Sequence, residues 1–311
     1  MSQKSFNNRV YGCAIVKAIN ANYNADFSHQ PRTLPDGTAY ATDKAFKYLV
    51  RNYCLQNYSG ERDYVLFFKR LNEEMRPYDL NDAYEAKFGK IEKKADKAEV
   101  LKNLMSCIDV RFFGATYANK QAKVSLSLHG PLQISHGVNR FPANDIYSEQ
   151  IMSPFADQKE GKDAAEATTL GTQHKLAEGH YVHHFSFNPG NLTAHFALKA
   201  FAEGAITEED IDKVKAAMCK GATLYDSSAK AGIENELLLW VELKEEGKVV
   251  LPSFVKMVNI DESGVIDLKA IEKLLNKAHV KAAIQKIELY YDAENTKVIN
   301  APENAEIKSL T

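Results

Sequence analysis

The order of elements at the N-terminus constrains this chain more than any other feature. Arg9 to Asn20, RVYGCAIVKAIN, is largely β-branched and apolar, which predicts a buried strand. The loop that follows, NANYNADFSHQPRTLPDGTAY, is rich in Asn, Pro and Gly and carries a P-D-G turn signal. So long a loop in a compact domain is usually functional or disordered. It runs into TDKAFKYLVRNYCLQNY, where Thr42 suits an N-cap and Asp43 a first helical turn. Phe46, Leu49, Val50 and Tyr53 make an apolar stripe, and Lys44, Lys47 and Arg51 share the opposite face.

Farther along, residues 61–107 read as helical and charged. Phe112 to His136 reads as extended, with VSLSLH alternating cleanly after a candidate hairpin turn. Residues 141–179 have little periodicity and predict a projecting loop or arm. Gly179 to Asn188 reads as a strand, Thr207 to Cys219 as a helix, and ELLLWVEL (Glu236 to Leu243) as a central strand. The tail adds a strand over 253–260, a helix over 267–278 and a strand over 281–291. This order predicts an α+β fold with an antiparallel sheet and large insertions, through which a β-α-β-β-α-β core can be drawn.

Net charge is −2, which does not advertise a nucleic-acid binder, but the charge is unevenly spread. Residues 1–51 carry seven Lys and Arg against three Asp, whereas 201–311 carry 14 Lys and Arg against 20 Asp and Glu. An anionic partner is therefore expected at the N-terminal part. No apolar run nears the ~20 residues that span a bilayer, and the polar start has no signal-peptide core, so a cytoplasmic protein without a membrane partner is expected.

Several chemistries lack their motifs. The cysteines (13, 54, 107 and 219) include no C-x-x-C, which points to buried thiols and excludes a zinc ribbon. Phosphate-cradling glycine loops, H-E-x-x-H and G-x-S-x-G are all absent. Five histidines fall between 174 and 195. On a strand, His180 and His184 share one face and His183 the other, so His180, His184 and His195 form the conceivable metal set. Stacking or hydrogen-bonding roles near a surface are the competing reading. No metal or other cofactor is expected. Asn22, Asn24, Arg32 and Thr38 in the loop, with Lys44, Lys47 and Arg51 on the helix, supply donors for phosphate and sugar oxygens, and interleaved Tyr and Phe could stack bases.

Three motifs, in order, resemble one family. NYNADF with TDKAFKYLVR, DVRFFG (Asp109 to Gly114) and GPLQISHG (Gly130 to Gly137) are similar to segments of the crRNA-binding backbone subunit of type I CRISPR–Cas effector complexes, known as Cascade. LGTQHKLAEGHY is similar to the return from that family's thumb, and CKGATLYDSSAKAGIENELLLWVEL to its type I-B branch. Ala25, Phe27, Tyr48, Asn139 and Arg140 depart from the family pattern.

The resemblance implies an RNA-recognition-motif-like (ferredoxin-like) palm over about 8–60, 108–140 and 180–260. A helical insertion would cover about 61–107, a thumb-like insertion about 141–179 and a C-terminal extension about 261–311, all in a single domain. It implies a non-catalytic subunit that stacks head to tail along crRNA, displays the spacer for target DNA and meets other Cascade subunits. Arg111, Gln133 and His136 join the candidate RNA contacts, with Arg111 equally able to pair with Asp109 or another acid. Phe112 and Phe113 are expected in the core, and Gly114 and Gly130 as backbone requirements. One or two of His180, His183 and His184 are expected to line the RNA groove or a subunit interface. The enzymatic alternative is a relative of the type III backbone ribonuclease, with Asp26 or Asp36 as the loop aspartate.

Overall fold

The computed structural model describes residues 4–91, 96–152, 170–192 and 206–311. The first strand, β1 (Val10–Ala21), is buried over most of its length, as its composition predicts. After the loop and the short β2 (Tyr40–Ala41) comes α1 (Asp43–Asn57). Thr42 caps α1, its hydroxyl accepting from the Ala45 amide.

The helical insertion holds two short helices, α2 (Leu80–Phe88) and α3 (Lys97–Met105), and much irregular chain. The expected helix upstream of Lys97 runs into residues 92–95, which lie outside the described residues. A third helix, α4 (Ile108–Phe113), replaces the extended start expected at DVRFFG. Short apolar runs do not reveal their own period. Here tertiary bonds fix the turn: the Ile108 amide donates to the Tyr64 carbonyl, and the Asp109 carboxylate accepts the Leu66 and Phe67 amides.

Gly114 ends α4 at φ +76°. It leads into the expected hairpin, β3 (Gly114–Asn119) and β4 (Val124–His129). Gly114 and Gly130 press backbone on backbone, leaving no room for a Cβ on either.

Next come β5 (Leu132–Ile134), β6 (Gly137–Asn139), β7 (Ile146–Met152) and the long β8 (Leu170–Phe187). The projecting loop or arm expected over 141–179 starts as a two-stranded antiparallel ribbon of β7 and β8. Its centre, 153–169, lies outside the described residues. Helix α5 (Glu208–Lys220) starts at a Thr207–Asp210 capping box and precedes β9 (Ile233–Leu243).

Strand β9 lies beside β1, β1 beside β8, and β8 beside both β5 and β6, every neighbour antiparallel. Leu238 and Trp240 of β9 face α1 and α5, with Val10, Ala14 and Val16 of β1. Leu237, Leu239 and Val241 face the other way, with Cys13 and Ile15. Cover on both faces explains why neither strand alternates apolar with polar.

The tail supplies that second cover. Of the strand expected over 253–260, only β10 (Asn259–Ile260) forms, and it pairs with β11 (Ile266–Asp267). Phe254 turns inward and is fully buried. The expected helix is split into α6 (Lys269–Leu275) and α7 (Ala278–Ala283), which press Ile271, Leu275 and Val280 into the second core. Strand β12 (Ile284–Tyr291) then joins β9, β13 (Val298–Ile299) joins β11, and β14 (Ala305–Lys308) joins β12. Lys308 of β14 and Lys215 of α5 both donate to buried Glu288 of β12, at 2.6 and 2.9 Å. The result is a nine-stranded sheet among the described residues. No helix among them is long and apolar enough to cross a membrane.

Candidate nucleic-acid interface

The loop asparagines brace the start of α1. Asn24 Oδ1 accepts from both the amide and the hydroxyl of Thr42, at 2.9 and 3.0 Å. Asn22 is buried and donates to the carbonyls of His29 and His174, which ties the loop to the base of the arm. Both therefore shape the loop from within. Arg32 donates through Nε to the Ala25 carbonyl, and its guanidinium lies 6.0 Å from the Phe27 ring.

Along α1 the three basic residues share a face but not an environment. The Lys44 side chain is 86% exposed. Lys47 pairs with Asp43 at 3.1 Å and lies 5.4 Å from the Phe113 ring. Arg51 pairs with Asp109 at 3.0 Å and packs on the rings of Phe113 and Phe67. His136 sits at the start of the same helix, where its Nδ1 accepts from the Asp43 amide at 3.3 Å. Its ring lies 5.5 Å from that of Tyr40. Burial opposes ionisation of Asp43, but the hydrogen bond and charge of Lys47, with Lys44 and His136, hold its carboxyl below the usual range.

Cations and rings thus form a continuous strip. It begins at Phe27 and Arg32, passes Tyr40 and His136, and follows α1 through Lys44 and Lys47 to Arg51 over Phe113. Such an alternation has the chemistry to meet phosphates with its cations and bases with its ring faces. Tyr40 and Phe67 escaped the sequence reading, although an aromatic residue just before a capped basic helix is a usable signal. Phe113, assigned to the core with Phe112, is only half-buried, whereas Phe112 is buried.

Of two further candidates, one turns inward and the other makes a local bond. Arg111 is fully buried and donates to Asp210 at 2.7 Å and to the carbonyls of Arg62 and Met105. Its partner is an acid on α5, and it is not offered to a ligand. Gln133 donates to the Gly130 carbonyl at 2.7 Å and is half-buried.

The histidines of GHYVHHF alternate faces as expected, but they face cores. His180 is buried between Glu236 at 2.6 Å and Glu178 at 3.2 Å, stacked on Phe141. His183, on the opposite face, bonds the Tyr23 hydroxyl at 3.1 Å and the Ser135 carbonyl at 3.0 Å, and stacks on Phe46. His184 is half-buried, and its Nδ1 accepts from the Phe254 amide at 3.3 Å. The expectation that His180 or His183 lines a groove is therefore corrected: the second core covers one face of β8, and α1 covers the other. Among the described residues no three His, Cys, Asp or Glu side chains converge as a metal set; His195 lies outside them.

The loop aspartates close turns. Asp26 Oδ1 accepts from the amide and hydroxyl of Ser28 and from the Gln30 amide. Asp36 Oδ1 accepts from the Thr38 amide.

The family model described as CRISPR-associated protein Cas7 matches residues 8–280. One similar solved chain, described as "CRISPR RNA-guided surveillance complex, pre-nicking", has a TM-score of 0.56 at 10% identity, with 97% of each chain covered. Another, "CRISPR RNA-guided surveillance complex", has a TM-score of 0.50 at 12% identity, covering 96% of this chain and 94% of that one. No curated protein sequence gives a significant match. At such identities the solved chains show a shared fold, and the family match spans most of the sequence: this chain belongs to the Cas7 family of CRISPR-associated proteins.

Proposed function

We infer that this protein is a non-catalytic crRNA-binding backbone subunit of a CRISPR surveillance complex. Copies stack head to tail along the guide RNA, meet other Cascade subunits and leave the spacer open to pair with target DNA. The strip of cations and rings along α1 carries this reading. It offers backbone-directed charge and stacking surface, which suits a protein that holds a guide while pairing supplies sequence.

The strand order β9-β1-β8-β5/β6, with α1 and α5 on one face, supports a ferredoxin-like, RNA-recognition-motif-like palm. The β7–β8 ribbon is the root of the thumb in this reading. The type I-B branch rests on the motif running from Cys219 to Leu243.

The test is direct binding of single-stranded RNA by the full chain, with and without a divalent metal. Tight, salt-sensitive binding that Lys44→Glu weakens, with the RNA left intact, is the expected result. Absence of RNA binding at low salt overturns the proposal. Metal-dependent cleavage lost in Asp26→Ala or Asp36→Ala replaces it with the ribonuclease reading.

A further inference from the structure

Among the described residues Phe27 is the only exposed Phe, Tyr or Trp ring, and it is fully exposed. A single exposed apolar side chain needs no explanation in itself. Three observations give this one a role. First, its turn is rigid: Asp26 Oδ1 gathers three donors, the Asp26 amide donates to the Gln30 carbonyl, and Asn22 holds the His29 carbonyl. Second, the Arg32 guanidinium, oriented by its Nε bond to Ala25, lies beside the ring and has no carboxylate within ion-pair distance among the described residues. Third, the Tyr40 amide donates to the Arg32 carbonyl, so the pair is joined directly to the Tyr40–His136 end of the basic strip.

We propose that Phe27 and Arg32 form a stacking platform for one unpaired nucleobase of bound RNA, with the ring taking the base face and the guanidinium the adjoining phosphate. The proposal rests on the RNA-binding reading and adds a base-contacting residue to it. The preorganised turn holds the ring in place before binding, so little side-chain order has to be gained when a base lands on it. The face is sequence-tolerant, because every base has a π surface. A second protein chain is the other conceivable occupant. The guanidinium beside the ring, which has no carboxylate within ion-pair distance among the described residues, and its continuity with the basic strip favour nucleic acid.

The experiment uses the full chain and unstructured single-stranded RNAs carrying 2-aminopurine, or an abasic site, at successive positions. Wild type should quench 2-aminopurine at a particular register. Phe27→Ala should lift that quench and weaken binding about tenfold, while Phe27→Trp keeps both. On RNA that is abasic at the quenched position, Phe27→Ala should cost almost nothing. Being fully exposed, Phe27 can be replaced without disturbing the core.

If RNA binds and Lys44→Glu weakens it, but Phe27→Ala changes neither quench nor affinity, the platform is overturned and the RNA-binding reading stands. An equal loss on intact and abasic RNA overturns it too, as does a Phe27→Ala effect confined to RNA-free self-association. If wild type binds no RNA, both fall.

Discussion

Arg51 and Asp109 are joined by a 3.0 Å bond from Nε to Oδ2, and the same carboxylate accepts the amides of Leu66 and Phe67. The pair therefore links the basic face of α1 to the start of α4 and to the chain that leads into the helical insertion. Asp109 is almost wholly buried, and Arg51 is largely covered by Phe67 and Phe113.

Removing one member of such a pair strands the other. Asp109→Ala is expected to cost roughly 3–5 kcal/mol of stability, and Arg51→Glu, which sets two carboxylates face to face, a similar amount. Chemical denaturation of each variant checks this. Charge reversal at Lys44, Lys47 and Arg51 together is thus a poor probe of RNA binding, since loss of fold accompanies loss of charge. Lys44→Glu should leave the denaturation midpoint unchanged.

The three cations should differ in their share of RNA binding. Lys44 is highly exposed and reaches Asp43 only at 3.9 Å, Lys47 is held by Asp43 at 3.1 Å, and Arg51 is committed to Asp109. For single strands each phosphate contact adds about 0.7 to the slope of log affinity against log salt. Lys44→Gln should reduce the slope by close to that amount, and Lys47→Gln by less. Binding isotherms across a salt series read this directly, and equal slopes for wild type and Lys44→Gln would remove Lys44 from the interface.

His183 and His180 should give stability opposite pH dependences. Burial pushes His183 down to about 4, with the Ser135 carbonyl opposing it, so the folded state keeps it neutral. Its unfolded value is near 6.5, and below that the unfolded chain binds the extra proton. This contribution is complete above about pH 6.5 and fades as pH falls towards 4, on the order of 3 kcal/mol in all.

Burial opposes the charge on His180, but Glu236 and then Glu178 outweigh it and raise it above its ordinary value. The stability it adds is complete below pH 6.5 and is lost as pH rises through its folded value. Denaturation midpoints measured from pH 4 to 8 should show a shallower acid limb in His183→Phe and a shallower alkaline decline in His180→Phe. Unchanged limbs would contradict the assignment.

Gly130→Ala should destabilise the fold by ~2 kcal/mol or more, because the new methyl meets the backbone of Phe112, Phe113 and Gly114. Gly171→Ala is the control: its nearest neighbour is 3.9 Å away, and its stability should match wild type. Thermal melts of the two variants decide it.

Residue type and spacing alone account for the elements whose causes are local. The unalternating runs of β1 and β9, the Thr42 cap and apolar stripe of α1, the Thr207 cap of α5 and the β3–β4 hairpin all follow from residue type and spacing. The strip began there too, as three cations on one helix face, a basic N-terminal segment and a loop of Asn, Asp and Pro.

Tertiary structure decided what depends on partners distant in sequence. DVRFFG is a helix because Tyr64, Leu66 and Phe67 bond to it. Arg111 faces inward because Asp210 waits on α5. Arg51 is tied down by Asp109, while Lys44, two turns earlier on the same face, stays exposed, with Asp43 3.9 Å away. The histidines of GHYVHHF alternate, as strand geometry requires, but their burial depends on cores built by α1 and by the tail from Phe254 onward. Phe27 departs from its family's pattern in the sequence. Only the fold, which sets Arg32 beside it and joins both to the strip, gives that departure a physical meaning: charge and aromatic surface act through distances in space, and the chain's own order does not contain them.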